Sequence, residues 1–194
     1  MKLTKLFKRC LLLVVFVVIV AFVFSRLSFQ KSTICQNDQK FRIQGKTVYI
    51  NSPENSQIFH AVISADPNTF DCVSDFPWGW KDNSYLYNTD GRIINGIDPY
   101  TFRQIGGPYY KDKSNVFFYT EVVNQADMAT FKHVGGWYAK DKAQVFYRDR
   151  IVIGADVSTF ALLESGGKVS GSYAKDNNNY YYNGNVVNEN EVSF

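Results

Sequence analysis

Residues 139–160 decide the fold, and they read AKDKAQVFYRDRIVIGADVSTF. A Lys-Asp pair is followed by polar residues, an aromatic-rich triplet, a short turn, an aliphatic pair and Asp-x-x-Thr-Phe. Further copies of this pattern begin at Trp80, Tyr110 and Ala174, and a worn copy spans residues 45–73. Self-similarity at 20–50 residues is typical of an array of similar structural units.

The spacing of the copies varies by a few residues. The closing residues Phe70, Phe102, Phe131 and Phe160 are 32, 29 and 29 residues apart, and Phe194 follows after 34. Such variation indicates constant elements that are joined by loops of adjustable length. We therefore expect roughly four and a half units of about 30 residues each.

Each unit is expected to be a β-hairpin or meander that is closed by a short helical turn. Short β-branched and aromatic runs between turn residues, such as Val145-Phe146-Tyr147 and Ile151-Val152-Ile153, are typical of hairpins. In the last copy, Asn183-Gly184 favours a two-residue type I′ turn, because both central positions need positive φ. The sequence therefore predicts an all-β domain over residues 40–194.

The repeated aspartates are interpreted as turn and cap residues. The Asp of each Lys-Asp pair can accept hydrogen bonds from the backbone N–H groups that follow, and the Asp of Asp-x-x-Thr-Phe can cap a helical turn. Four copies at equivalent places indicate a repeated turn rather than a catalytic site. The residues assigned this role are Asp82, Asp112, Asp141, Asp176, Asp66, Asp98, Asp127 and Asp156.

Paired glycines precede three of the units, at residues 106–107, 135–136 and 166–167. A residue without a side chain allows a bulge or a close approach of two backbones. We expect these glycines to lie where one unit meets the next.

Aromatic side chains are the candidates for binding. We interpret Tyr87, Tyr119, Tyr147 and Tyr182 as equivalent positions of the triplets. Alternate residues of a strand face opposite ways, so one set of aromatics fills the core and the other set is left for the second face. If these tyrosines are exposed, they form a ladder suited to protein or glycan contact. The alternative is that each ring bridges core and solvent without a ligand.

The copies resemble the DKNYY family of bacterial repeat proteins, whose name describes Asp-Lys-Asn followed by tyrosines. The motif stands here as DKSNVFFY at 112–119, DKAQVFY at 141–147 and DNNNYYY at 176–182. The resemblance covers roughly residues 40–194. It implies a repeat fold, and it supplies neither catalytic residues nor a biochemical function.

The N-terminus is typical of a targeting segment. Residues 1–9 hold four basic residues and no acid, and residues 10–24 are an unbroken apolar run. The run suits either a transmembrane anchor or the h-region of a cleaved signal peptide. Basic residues before the run favour a short cytoplasmic segment, then a polar linker over 25–39 and a C-terminal domain outside the cytoplasm. We expect a single-pass protein of the bacterial inner membrane with its C-terminal domain in the periplasm, or else a secreted protein after cleavage.

The charge distribution excludes nucleic acid as a partner. The chain has a formal charge of +3, but six of its 21 basic residues and none of its 18 acids lie in residues 1–31. The remaining 15 basic and 18 acidic residues leave the domain at −3, without the basic surface that phosphate binding requires.

Three cysteines are present, and Cys10 lies in the apolar run. Cys35 and Cys72 are either a disulfide, as an oxidising compartment would allow, or two buried free thiols. Only two histidines exist, His60 and His133, and no spacing typical of a zinc site or of an activated nucleophile accompanies them. We therefore predict no catalytic residue, no metal and no cofactor.

These observations favour a binding protein over an enzyme. The first hypothesis is a membrane-tethered module that binds another protein of the envelope or an incoming one, for instance a toxin that it neutralises. The alternative is a glycan- or peptidoglycan-binding envelope protein, with the aromatic face as the contact surface.

Overall fold

The computed structural model describes residues 32–35, 40–52, 54–55, 57–165 and 168–192. These residues form short β-strands in five four-stranded sheets, and the only assigned helix among them is a short 3₁₀ helix at Glu189–Glu191. The predicted all-β class is therefore confirmed. The apolar run 10–24 lies outside the described residues, and none of the described part of the chain forms a helix long and apolar enough to cross a membrane.

The strands of each sheet follow one another in the chain, and the neighbours whose register is defined are antiparallel. The first sheet contains β1 (Ser32–Ile34), β2 (Lys40–Gln44), β3 (Thr47–Asn51) and β4 (Phe59–Val62). The second contains β5 (Asp71–Cys72), β6 (Gly79–Lys81), β7 (Leu86–Asn88) and β8 (Ile93–Ile94).

The other three sheets follow in the same manner. The third contains β9 (Arg103–Gly106), β10 (Tyr109–Lys111), β11 (Val116–Phe118) and β12 (Glu121–Val122). The fourth contains β13 (Lys132–Gly135), β14 (Tyr138–Lys140), β15 (Val145–Tyr147) and β16 (Arg150–Ile151). The fifth contains β17 (Ala161–Ser165), β18 (Lys168–Lys175), β19 (Tyr180–Tyr182) and β20 (Asn185–Val187).

The chain divides into two compact units. The N-terminal unit extends to Asp82 and includes Tyr87–Arg92, and the C-terminal unit comprises Asn83–Leu86 and the chain from Ile93 onward. The single domain over 40–194 that the sequence predicts stays a prediction. Each unit has its own aromatic core.

The N-terminal unit begins inside the stretch predicted to be a linker. Strand β1 pairs with β2, with Ser32 opposite Arg42 and Ile34 opposite Lys40. Residues 32–34 of the stretch expected to be a linker therefore pair as a strand. The strand is followed at once by Cys35, which forms a disulfide with Cys72 across a Cα–Cα distance of 5.8 Å. Closing this loop of 37 residues contributes roughly 3–4 kcal/mol by the chain-entropy estimate.

Large rings fill the core of the N-terminal unit. Phe41, Phe70, Trp80 and Tyr87 are buried, and Phe41 meets the edge of both Phe70 and Trp80 at centroid distances of 5.2 and 5.6 Å. Phe70 stacks on Trp80 at 5.8 Å. Phe70 is the closing residue of an Asp-x-x-Thr-Phe stretch, so the repeated phenylalanine is a core residue here.

In the C-terminal unit, one strand pairing is repeated three times. Tyr109 lies opposite Phe118, Tyr138 opposite Tyr147, and Tyr173 opposite Tyr182. Each turn that follows holds a residue with positive φ, and Asn183 and Gly184 both have it, at 51° and 82°. This agrees with the type I′ turn that the Asn-Gly pair predicts.

Core clusters of the C-terminal unit each combine two successive sheets. One cluster contains Tyr109 and Phe118 from β10 and β11 together with Ala139 and Phe146 from β14 and β15. The next contains Tyr138 and Tyr147 together with Ala174 and Tyr181 of the following sheet. A single hairpin therefore does not complete a core, and the closing Phe131 and Phe160 seal the two clusters.

The paired glycines lie at these contacts, as predicted for residues 106–107 and 135–136, whereas 166–167 lie outside the described residues. A Cβ on Gly107 would approach Cε1 of His133 to 2.5 Å, and a Cβ on Gly135 would approach Cδ1 of Leu162 to the same distance. A Cβ on Gly136, whose φ is 53°, would overlap the backbone of Gly171. The absence of a side chain is therefore required for successive sheets to meet.

Replacing Gly136 with alanine tests this close approach, and Gly154→Ala is its matched control. Gly154 also has positive φ, 80°, but no atom lies within 4 Å of a Cβ placed there. G154A should cost about 1 kcal/mol for the backbone conformation alone. G136A should cost about 1–3 kcal/mol more, because the methyl group overlaps the facing backbone. Urea unfolding of the full chain measures both, and equal losses would contradict the close approach.

Candidate functional site

The aspartate of each Lys-Asp pair is the centre of a hydrogen-bond network. In the third sheet, Oδ2 of the buried Asp112 accepts the backbone N–H of Asp98 at 2.9 Å. Its Oδ1 accepts the N–H groups of Ser114 and Asn115 at 2.7 and 2.8 Å. One carboxylate therefore holds its own turn and also the start of the preceding Asp-x-x-Thr-Phe stretch.

The bond from the opening aspartate recurs around the other three aspartates of this kind. Asp141 accepts from Asp127 N at 2.8 Å, Asp176 accepts from Asp156 N at 2.7 Å, and Asp82 accepts from Asp66 N at 2.9 Å. In two copies a tyrosine hydroxyl also donates to the aspartate: Tyr181 donates to Asp176 and Tyr87 donates to Asp82, both at 2.7 Å.

The aspartate that opens each Asp-x-x-Thr-Phe stretch caps a single helical turn. Oδ1 of Asp98 accepts the N–H and the hydroxyl of Thr101, and the Phe102 N–H donates to the Asp98 carbonyl at 3.1 Å. The Thr101 hydroxyl oxygen in turn accepts the Lys113 N–H at 2.9 Å. The threonine thus connects this turn to the residue that follows Asp112.

Ion pairs strengthen the connection in two copies. The Lys113 ammonium pairs with Asp98, and the Lys142 ammonium lies 2.5 Å from Oδ2 of Asp127. These lysines, with the neighbouring threonines, lower the pKa of both aspartates to about 2. In the last copy Asn177 stands at the lysine position, and hydrogen bonds from Ser158 and Thr159 lower the pKa of Asp156 instead.

The residues shared by the copies are thus occupied by bonds within the fold. Asp, Thr and Phe of the pattern each have a contact that holds one turn to another, and Lys140 of one Lys-Asp pair donates to the carbonyl oxygens of Val157 and Phe160. Recognition of a ligand is therefore to be sought at positions that differ from copy to copy.

The four candidate tyrosines do not form one ladder. Tyr87 and Tyr147 are buried, whereas Tyr119 and Tyr182 are 41% and 42% exposed. Counted from the preceding Lys-Asp aspartate, they stand five, seven, six and six residues later, so the interpretation of all four as equivalent is wrong. The true equivalents of Tyr87 are buried in every copy: Phe117, Phe146 and Tyr181. Counting from the aspartate rather than from the tyrosine is the signal that would have separated them.

An exposed aromatic surface nevertheless exists on the C-terminal unit, and we name Tyr119, Trp137 and Arg148 the turn surface. Trp137 is 43% exposed, and the Arg148 guanidinium lies 5.0 Å from its ring centroid. The same guanidinium lies 5.4 Å from the ring of Phe118, which contacts Tyr119 at 4.9 Å. Rings and cation thus form one continuous patch, and Tyr119 is the one member that the sequence predicts as a binding candidate.

A groove of about 470 Å³ lies on the same unit, between two sheet edges. We name it the edge groove, and it is lined by Arg150, Ile151 and Ile153 after one hairpin turn and by Gly184, Asn185 and Val186 after the next, with Tyr147 and Asn183 completing it. The Tyr147 hydroxyl donates to Oδ1 of Asn183 at 2.6 Å, which joins the two hairpins at the groove.

The histidines are engaged locally. Nε2 of His60 lies 3.2 Å from the Asp90 carbonyl oxygen, and Nε2 of His133 lies 3.0 Å from that of Gly136. Within the described ranges, no three His, Cys, Asp or Glu side chains are grouped so as to hold a metal ion.

Comparison with known proteins identifies a family. The model of the DKNYY family matches residues 19–121 and 41–185. No curated protein and no solved structure matches the chain.

The lowered aspartate pKa values predict acid sensitivity. Asp98 and Asp127 have a pKa of about 2 against an ordinary 3.8, so their contribution to stability is present above about pH 4 and is lost as pH falls towards 2. Replacing Lys113 and Lys142 together with alanine should make this decline shallower, because the lysines are the first cause of both shifts. Urea midpoints between pH 6 and pH 2 measure the slope. Lys132→Ala should leave it unchanged, and an unchanged slope in the double variant would contradict the assignment.

Proposed function

Since the chain belongs to the DKNYY family, we propose that it is a membrane-tethered binding module without catalytic activity, built as an array of roughly four and a half repeats. The observation that carries the proposal is the turn surface. Its tryptophan, tyrosine and arginine are the residue types that dominate binding energy at protein interfaces. The repeated polar residues also support the absence of catalysis in this proposal, because their hydrogen bonds already serve the fold.

A protein partner is favoured over a glycan by Arg148. A guanidinium that lies on Trp137 occupies part of the ring face on which a sugar would stack. An arginine beside aromatic rings is instead suited to the carboxylates and ring edges of a protein surface. Retention of the full chain on purified peptidoglycan, with loss in W137A, would favour the glycan alternative.

The location proposed for this module is the outer face of a bacterial inner membrane, with residues 10–24 as the anchor. The basic residues before this run support the orientation. The disulfide between Cys35 and Cys72 agrees with an oxidising compartment, since such bonds are rare in the cytosol. A chain secreted after cleavage is the alternative.

Photo-crosslinking in living cells tests the binding surface and the location together. A chain with p-benzoylphenylalanine at Trp137 should give a discrete protein adduct in the membrane fraction. The matched control carries the same group at Tyr100, an exposed aromatic residue of the same unit outside the turn surface, and it should give none. Equal adducts at both positions, or none at Trp137, would contradict the proposal, and an adduct in the medium would favour the secreted form.

One form of the proposal is immunity to an incoming toxin, which suits a small, tethered and mildly acidic domain. Cells that lack the protein should then become sensitive to a toxin encoded beside its gene. Returning the Tyr100→Ala variant to these cells should restore protection. Returning Trp137→Ala should not, because this substitution removes the centre of the turn surface. Survival of the deletion strain against every such toxin would remove this form and leave the binding proposal in place.

A further inference from the structure

The edge groove has the size and the composition of a ligand site. Its volume of about 470 Å³ falls within the usual range for binding pockets. Its walls come from the segments that follow two successive hairpin turns, and β16 and β20 are edge strands of their sheets. An edge strand presents backbone groups that an extended segment can approach.

Two aliphatic side chains of the groove are exposed to water. Ile153 is 85% exposed and Val186 is 57% exposed, and both line the same space. Covering such side chains with an apolar group is favourable, at about 25 cal/mol for each Å² removed from water. The groove is therefore suited to a ligand with an aliphatic side chain.

Among the described residues that line the groove, Arg150 alone is charged. It is exposed, and none of the ion pairs found among the described residues involves it. Its neighbours in the groove are the polar residues Asn183 and Asn185, so no acid among the described lining residues competes for the guanidinium. A guanidinium in this setting binds a carboxylate through paired hydrogen bonds.

We propose that the edge groove binds an extended segment of a partner protein in which a carboxylate side chain adjoins an aliphatic one. This inference rests on the proposed binding function and specifies the chemistry of the partner. Arg150 holds the carboxylate, Ile153 and Val186 cover the aliphatic side chain, and Asn183 and Asn185 are placed to bond the peptide backbone.

Selection from a phage-displayed library of random dodecapeptides tests the proposal. The full chain, purified in mild detergent, should enrich peptides with Asp or Glu next to Leu, Ile or Val. Arg150→Glu should lose these peptides and enrich Lys- or Arg-containing ones. The matched control is Arg103→Glu, an equal change of charge at an exposed residue of β9 outside the groove, and it should select like the unaltered chain.

Affinity for one synthesised consensus peptide, measured by fluorescence anisotropy, gives the second test. We expect R150E to weaken binding at least about ten-fold, and Val186→Thr to weaken it about three-fold without unfolding the chain, because Val186 is exposed. Selection of the same peptides by R150E would overturn the proposal. The absence of any enriched peptide would also overturn it. Binding of polygalacturonate, a polysaccharide that carries carboxylates, in place of peptides would do the same. Any of these results could be obtained while p-benzoylphenylalanine at position 137 still gives its adduct in cells that carry R150E. In that case the groove proposal fails and the proposed function stands.

Discussion

A carboxylate oxygen of each Lys-Asp aspartate accepts the backbone N–H of the aspartate that opens the preceding helical turn, at 2.7–2.9 Å. The acceptor is buried in three copies, Asp82, Asp112 and Asp141, and a buried charge is costly unless hydrogen bonds compensate it. At Asp112 and Asp141, backbone donors from the preceding closing turn and from the aspartate's own turn compensate it only when both turns are in place. Local folding of one repeat is therefore coupled to the closing turn of the repeat before it.

The remaining structure follows from this coupling. The closing turn positions its phenylalanine, and Phe131 and Phe160 complete clusters that contain strands of two successive sheets. Glycines allow the sheets to approach, with Gly136 facing the backbone of Gly171. Tyrosine hydroxyls also cross between sheets: Tyr109 donates to the Trp137 carbonyl at 2.6 Å and Tyr138 to that of Ser172 at 3.0 Å.

Local chemistry made part of this structure predictable. The Asn183-Gly184 turn, the β-hairpins and the close approach at Gly136 each follow from the conformational preferences of one or two residues. The difference in exposure between the buried Tyr147 and the exposed Tyr182 does not follow from such preferences, because both stand six residues after an aspartate. Tyr147 is covered because the hairpin turn of the next repeat packs on it: a Cβ on Gly184 would lie 2.6 Å from the Cβ of Tyr147. The burial of Tyr147 therefore depends on the next repeat. Strand β1 and the edge groove likewise depend on distant partners, namely the disulfide and a second hairpin.

The hairpin turns explain how one fixed network can present different surfaces. Tyr119, Arg148 and Asn183 stand at the same place after the aspartate, and all three have positive φ, between 51° and 59°. Asparagine adopts this conformation readily, whereas tyrosine and arginine do so at a cost of about 1–2 kcal/mol. Contacts offset that cost, because Tyr119 packs on Phe118 and Arg148 lies over Trp137. The backbone of the turn is thus held by the aspartate-centred fold, and its side chain is free to differ, so the exposed surface changes from copy to copy at this position.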